Sequence, residues 1–252
     1  MTKNIERYAP WVVLTLALLL WQVVVVVFSI QEFIFPSPLQ IAREFMQFKE
    51  PLLLAAWQTF WVTMVGFGIA IVVGVLLGFL VGSSRFAYAA FYPLMVGFNA
   101  VPKAAIVPIL VVWFGIGIGP GILTAFLISF FPITVNIATG LATLEPELED
   151  VLRVLGAKRW DVLTKVGLPR CLPYFYGSLK IAITLAFVGT VLAEMTAGDS
   201  GIGSLMQTAG SQQRLPLAFA GLVLISAMAM AMYEFFSYVE LHTTAWAHRS
   251  TH

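Results

Sequence analysis

Six long apolar stretches, separated by short polar segments, dominate the pattern of hydrophobic and polar positions along the chain. Each stretch has roughly the 20 apolar residues that an α-helix needs to cross a bilayer. Lipid offers the backbone no hydrogen-bonding partners, so a helix is the structure that satisfies such a stretch internally. The pattern therefore predicts six transmembrane helices, at residues 11–29, 59–82, 86–115, 122–144, 174–195 and 216–238.

Prolines interrupt the third stretch. Pro93, Pro102 and Pro108 fall within it, and Lys103 follows the second of them. A proline removes a backbone donor, and broken backbone at membrane depth is tolerated where it is buried in protein or lines a cavity. Two interpretations stay open: the stretch forms a wall of a solute pathway, or it is a surface loop near Pro102 followed by a packed apolar helix.

Smaller features lie around these spans. The mixed stretch at 40–50 predicts a short interfacial helix, and a second short helix is predicted at 203–209. In the second span, Gly74 and Gly78 have the four-residue spacing that lets another helix approach closely. The general abundance of glycine in membrane helices explains this pair equally well.

The segment at 145–169, EPELEDVLRVLGAKRWDVLTKVGLP, differs from everything around it because it carries nine charges in 25 residues. Its apolar residues at spacings of three and four form one helical face, made by Leu148, Val151, Leu152 and Leu155. Gly156 interrupts the pattern, a second short helical pattern follows, and Leu168-Pro169 is expected to end it. The segment predicts two short helices whose apolar face needs a partner on the water side.

The composition fixes the class of protein. Hydrophobic residues make up 60% of the 252 residues and charged residues only 11%, against about 25% charged in soluble domains. We therefore expect an all-α, polytopic membrane protein in contact with the lipid bilayer, forming one domain over residues 1–252. The net charge of +1 gives no indication of nucleic acid binding.

The sequence shows no pattern typical of an enzyme. It has one cysteine, Cys171, which excludes an internal disulfide and the usual multi-cysteine metal sites. Its three histidines lie in the last eleven residues, and it contains no GxxxxGK[ST] phosphate loop and no Ser/His/Asp arrangement. We expect neither a catalytic residue nor a metal site in this chain.

Basic residues indicate the orientation, because they accumulate in cytoplasmic loops. With the N-terminus inside, nine lysines and arginines fall in cytoplasmic segments and four fall outside, while Lys180 lies within a span. We therefore expect both termini and the segment at 145–169 to be cytoplasmic.

A few polar residues within or beside the spans are pathway or gate candidates: Lys103, Pro108, Asn136 and Glu194. For Glu194, near the outer end of the fifth span, a gate or structural role is favoured over direct contact with the substrate. Lys103 is interpreted as an interfacial anchor or as a contact for an anion at the outer mouth, and Asn136 as a helix–helix hydrogen bond. Lys180 either extends to the cytoplasmic headgroups or belongs to the pathway.

The charged segment resembles the EAA loop of bacterial ABC-importer permeases. That loop has Glu-Ala-Ala, three residues, Gly, nine residues and Ile-x-Leu-Pro, and here Gly156 is followed after nine residues by Val166-Gly167-Leu168-Pro169. The leading triplet is Asp150-Val151-Leu152, which keeps the acid and departs at both alanines.

Other stretches look like the nitrate/sulfonate/taurine branch of these permeases. They are 107–117 (VPILVVWFGIG), Phe131-Pro132, 144–148 (LEPEL), Ala193-Glu194-Met195 and Gly201-Ile202-Gly203. The resemblance covers roughly residues 55–240.

The resemblance implies a type I ABC importer permease fold in the bacterial inner membrane. It also implies a homodimer of this subunit, two cytoplasmic ATPase subunits that bind ATP and Mg, and a periplasmic solute-binding protein. The cargo it implies is a small anion such as a sulfonate, taurine or nitrate, with vitamins, their precursors or aromatic carboxylates as the alternative. An ion-coupled secondary transporter is the rival from another class.

In such permeases the EAA loop inserts into a groove on the ATPase as the coupling helix, and nucleotide-driven closure moves the spans between inward- and outward-open states. The residues that this assigns to ATPase coupling are Glu147, Leu148, Asp150, Val151, Leu152, Arg153, Leu155, Gly156, Lys158, Arg159, Leu168 and Pro169.

Overall fold

All regular elements in the described part of the chain are helical. The structure is a computed structural model, and it describes residues 2–142, 151, 152 and 154–244. The α-helices are α1 (Thr2–Val27), α2 (Pro38–Gln47), α3 (Lys49–Gly82), α4 (Arg85–Ala100), α5 (Val107–Phe114), α6 (Ile118–Ala142), α7 (Arg159–Val162), α8 (Leu168–Ala197), α9 (Gly201–Ser211) and α10 (Leu215–Thr243). A 3-10 turn at Lys103–Ile106 precedes α5, and a π-helical segment at Leu163–Gly167 joins α7 to α8.

In the described part of the chain, five helices are long and apolar enough to cross a membrane by themselves. They are Tyr8–Val27, Lys49–Gly82, Ile118–Ala142, Leu163–Thr196 and Leu215–Thr243. The predicted third span is a bent pair, Arg85–Ala100 and Lys103–Phe114, with 71° between its halves, and counting it as one span gives six. The all-α, polytopic fold is thereby confirmed.

The bend of the third span lies at Val101-Pro102. Val101 is extended, with φ −64° and ψ 126°, which is the conformation that a following proline imposes on the residue before it. Pro93, by contrast, is accommodated inside α4. The prolines alone therefore did not show where this span bends, because Pro93 lies within a helix and Pro102 lies at the bend.

Several helices extend beyond the predicted spans, α3 the furthest at its start. Helix α3 begins at Lys49, ten residues before the predicted start, because Pro51 sits in its first turn, where its missing donor costs nothing. The predicted interfacial helix is α2, which begins at Pro38. A capping box at Ser37 and Gln40 fixes its start, with each side chain accepting a hydrogen bond from the other residue's backbone N–H.

The core of the bundle is the contact of α3 and α8 with α6. Along α3, four glycines face α6 so closely that a β-carbon on any of them would overlap it: Gly66, Gly74, Gly78 and Gly82. A β-carbon on Gly78 would lie 2.8 Å from the Thr134 carbonyl oxygen and 2.8 Å from the Ile137 Cβ. The close-approach interpretation of Gly74 and Gly78 is therefore confirmed.

The outer helices of the subunit leave large apolar surfaces uncovered. Helix α1 touches the rest of the chain near its C-terminal end, where Val25 is buried and Trp21 packs against Phe35 and Phe219. Helix α4 has no buried residue, and in α5 Val112 and Trp113 are exposed. Such surfaces are stable only against lipid or another apolar protein surface.

The glycine contact gives a testable prediction. Replacing Gly78→Leu should lower the midpoint of thermal unfolding in detergent, since overpacking a close helix contact costs about 1–3 kcal/mol. Gly68→Leu is the matched control in the same helix, because a β-carbon there meets nothing within 4 Å. Equal midpoints for the two variants would contradict the close contact.

Candidate coupling segment and pathway residues

The described part of the charged segment begins at Val151. Four of the predicted coupling residues, Glu147, Leu148, Asp150 and Arg153, lie outside the described residues. The Leu155 N–H donates to the Val151 carbonyl at 3.2 Å, and the Ala157 N–H donates to the Leu152 carbonyl at 3.0 Å. These bonds close the last turn of a short helix.

Gly156 makes the turn that follows. Its φ is +87°, in the left-handed region that glycine adopts without steric cost. Together with the bond from Ala157 to Leu152, this is the usual way for a glycine to end a helix. The sequence pattern placed this interruption correctly.

Asp161 organises the second helical part. Its Oδ2 accepts from the Lys158 N–H at 3.3 Å, and its Oδ1 lies 3.0 Å from the Lys165 Nζ. The hydrogen bond and charge of Lys165, and then the Lys158 N–H, hold the pKa of Asp161 below its ordinary value. The carboxylate therefore stays ionised at the start of α7, where it favours the helix.

The prediction that Leu168-Pro169 ends the helix is wrong. The chain continues from α7 through the π-helical segment Leu163–Gly167 into α8, with the Leu168 N–H donating to the Leu163 carbonyl. Pro169 lies in the first turn of α8. A proline ring clashes with the carbonyl four residues earlier, and a wider π turn is a way to relieve such a clash without breaking the helix.

The turn of this segment exposes an apolar patch, which we define as Val151, Val154 and Leu155. Their exposed fractions are 57%, 88% and 77%, and Leu152 is half-buried. Beside the patch lies a shallow cavity lined by Leu152, Leu155, Gly156, Ala157, Asp161, Val162, Lys165 and Val166. Sequence reasoning missed Val154, because it lies off the predicted helical stripe.

The four pathway candidates have separate surroundings. Lys103 Nζ donates to the Asn99 carbonyl oxygen at 2.9 Å and to its Oδ1 at 2.7 Å. Pro108 is exposed in the first turn of α5. The hydrogen bond that the structure gives Asn136 runs from Nδ2 to the Pro132 carbonyl at 2.8 Å, within its own helix rather than to a second one.

Glu194 is the deepest of the four, with 8% of its surface exposed. Its carboxylate accepts hydrogen bonds from the Thr59 hydroxyl in α3 and from the Gly203 N–H in α9. Among the described residues, no contact joins Glu194 to another pathway candidate. The structure thus places it at a junction of three helices.

Lys180 has a partner that sequence reasoning did not consider. Its Nζ lies 2.6 Å from Glu240 Oε2, and both side chains are largely buried. The two residues are 60 positions apart, so their pairing depends on how α8 packs against α10.

No group of three or more histidine, cysteine, aspartate or glutamate side chains among the described residues could hold a metal ion. What the arrangement offers is binding: an exposed apolar patch with charged neighbours, separated by the Gly156 turn from a helix that continues into a membrane span. Long apolar helices packed on a glycine seam define a multi-pass membrane protein. Residues 70–241 match the family model described as binding-protein-dependent transport system inner membrane component, and the chain belongs to this family.

Relatives named as transport permeases match almost the whole chain. A probable ABC transporter permease protein of Haemophilus influenzae is 32% identical, over 97% of this chain and 99% of its own length. The riboflavin transport system permease protein RibX of Chloroflexus aurantiacus is 31% identical, over 93% of this chain and 88% of its own. Further relatives are named for formylaminopyrimidine, aliphatic sulfonate and nitrate transport.

Among solved structures, the inward-facing MetNI methionine ABC transporter is similar, with a TM-score of 0.67 and 20% identity. The match covers 77% of this chain and 96% of that one. The predicted importer-permease fold is thereby confirmed, and the protein is a permease subunit of an ABC importer.

Proposed function

We propose that this chain forms the membrane pathway of an ATP-driven importer as a homodimer in the bacterial inner membrane. Two cytoplasmic ATPase subunits bind ATP and Mg, a periplasmic protein delivers the solute, and the chain itself catalyses no reaction. Residues 1–252 act as one membrane domain with 145–169 as its coupling loop. The observation that carries the proposal is the exposed apolar patch, which lies just before the helical segment that leads into α8.

The coupling residues named from the sequence contact the ATPase in this proposal. A helix turn with an exposed apolar surface is the kind of ligand that fits a hydrophobic groove. Val151, Val154 and Leu155 enter the groove, while Lys158 and the Asp161–Lys165 pair contact its rim and set the orientation. Movement of the docked turn passes through the Gly156 turn to α7, from which the helix continues into the membrane.

The coupling proposal predicts the effect of a charge in the patch. Leu155→Asp should abolish co-purification of the ATPase subunits and reduce solute uptake, since losing a central apolar anchor costs about 2–4 kcal/mol of binding. Leu155→Met, which keeps an apolar side chain of similar volume, is the control. Normal assembly and normal uptake of the Leu155→Asp variant would overturn the assignment.

The coupling segment and both termini are cytoplasmic in our proposal. Helix α8 has 30 residues and is therefore about 45 Å long, which is enough to separate the apolar patch from the segment after Ala197 by a whole membrane. The excess of basic residues on the side of the patch supports its cytoplasmic location.

Thiol labelling tests this orientation. In a Cys171→Ala background, Gln212→Cys should react with a membrane-impermeant maleimide added to spheroplasts. Val154→Cys should react only in inside-out vesicles prepared from cells that lack the ATPase subunits, because a docked ATPase would cover it. Both positions are exposed, so accessibility to the reagent is decided by the side of the membrane. Labelling in the reverse order would contradict the orientation.

For the cargo we propose a small anion such as a sulfonate, taurine or nitrate. Among the described residues no acid pairs with Lys103, whose contacts are to the neutral Asn99, so its charge is available to an anion. Relatives named for sulfonate and nitrate transport support this proposal. Those named for riboflavin and formylaminopyrimidine support the alternative, a vitamin or its precursor.

Uptake by the complete complex in liposomes separates these cargoes. We expect ATP-dependent uptake of an anion, reduced about tenfold by Lys103→Met, as for the loss of one favourable charge contact of about 1.4 kcal/mol, and retained by Lys103→Arg. Uptake of riboflavin or a pyrimidine instead would favour the vitamin alternative. Uptake that needs an ion gradient but no ATP would indicate a secondary transporter.

A further inference from the structure

Three consecutive backbone N–H groups at the start of α9 are bonded by side chains from other helices. The Gly201 N–H donates to Gln58 Oε1 at 3.1 Å, the Ile202 N–H to Thr59 Oγ1 at 2.8 Å, and the Gly203 N–H to Glu194 Oε2 at 2.9 Å. The first N–H groups of a helix have no partner within the helix, and a side chain at its N-cap usually binds one of them. Here the N-cap residue makes no side-chain cap bond, so α3 and α8 supply the cap.

Two of the three capping side chains, Thr59 and Glu194, also bind each other. The Thr59 hydroxyl donates to the Glu194 carboxylate, 2.9 Å from each oxygen, while it accepts from Ile202. Thr59 is fully buried and Glu194 nearly so. We define these residues, Gln58, Thr59 and Glu194 with the N–H groups of 201–203, as the Glu194 cluster.

Glycines let the backbone of α9 reach the acid. Gly201 has φ +91°, and a β-carbon on it would overlap the Glu194 carboxylate. A β-carbon on Gly203 would lie 2.6 Å from the Glu194 Cβ and 2.6 Å from the Val191 carbonyl oxygen. The Gly-Ile-Gly sequence is therefore a steric requirement of the cluster, and any side chain at either glycine would push α9 away from α8.

A pair of hydroxyl groups also joins α3 to α8, one helical turn away from the Glu194 cluster. Thr63 Oγ1 donates to Thr190 Oγ1 at 2.9 Å and lies 2.7 Å from the Thr59 carbonyl oxygen, and both threonines are fully buried. Helices α3 and α8 are thus bonded to each other just below the point where both bind α9.

The far end of α9 is attached to other elements. The Arg214 N–H donates to the Ala209 carbonyl at 2.8 Å, which closes the helix. The Arg214 guanidinium lies 3.0 Å from Glu44 in α2 and 4.3 Å above the ring of Phe48. Helix α9 is therefore bonded at both ends, to α3 and α8 at its start and to α2 at its finish.

We propose that Glu194 and Thr59 are positioning residues that make α9 move as one body with α3 and α8 during transport. The acceptor atoms of Glu194 face protein donors, so it acts on α9 rather than on the cargo. Because α8 begins at the coupling segment and ends at Glu194, displacement of the apolar patch reaches α9 through this carboxylate. The bonding within the cluster does not depend on the proposed function, but its effect on uptake does.

The test uses the full importer complex in nanodiscs and liposomes, with the isosteric change Thr59→Val against Thr59→Ser. Amide hydrogen exchange over residues 199–211 should become about tenfold faster in Thr59→Val, the size expected when one buried hydrogen bond is lost. The amount of solute imported per ATP hydrolysed should fall severalfold while ATPase assembly is unchanged. Thr59→Ser, which keeps the hydroxyl, should match the parent in all three measurements.

The measurements distinguish the possible failures. If amide exchange over residues 199–211 is unchanged in Thr59→Val, the cluster is overturned. If that exchange is faster but the amount of solute imported per ATP hydrolysed is unchanged, the role of the cluster in transport is overturned. If the Thr59→Val variant does not assemble with the ATPase subunits, the Glu194→Gln variant replaces it. Glutamine has the size of glutamate but only one acceptor oxygen instead of two, and the same outcomes apply. If the amides of residues 199–211 are protected from exchange in the unsubstituted complex but the complex shows no ATP-dependent uptake, the proposed function is contradicted and the cluster is not.

Discussion

Lipid cannot form hydrogen bonds, and this constraint accounts for most of the structure. It requires backbone groups to be satisfied within helices, and it requires each polar side chain in a span to find a partner in the protein. Threonines and serines therefore bind carbonyls of the preceding turn, as Thr124 binds Pro120 and Ser129 binds Ala125. Lys180 finds Glu240 on another helix for the same reason.

Interhelical contacts in a bilayer gain little from the hydrophobic effect, so they depend on close packing and on polar bonds. The subunit uses both in different places. Glycines bring α3 against α6 along its C-terminal half, and the hydroxyl and carboxylate bonds of Thr59, Thr63 and Glu194 join α3 to α8 nearer the middle of α3. The result is a bundle in which α3, α6 and α8 are held against one another, while α1, α4 and α5 expose apolar surfaces to lipid or another subunit.

Helix α8 connects the two regions to which we assign function. It receives the coupling segment through a π turn at one end and carries Glu194 in its last turn at the other. From Arg159 onward the chain stays helical between them, so in the proposed function a movement passed through the Gly156 turn continues along one helix to Glu194.

The sequence by itself determined the membrane class, the six spans, the short helices α2 and α9 and the glycine turn at Gly156. Each of these depends on local hydrophobicity, local spacing or one backbone conformation. Tertiary structure alone decided the partners of Lys180 and Glu194, the continuation of the helix through Pro169 and the exposure of Val154. The partners of Lys180 and Glu194 depend on which residues distant in the chain meet when the helices pack, and a pattern along one chain does not contain that information. The features at Pro169 and Val154 depend on local backbone geometry, a π turn and the end of a short helix, which hydrophobic periodicity does not specify.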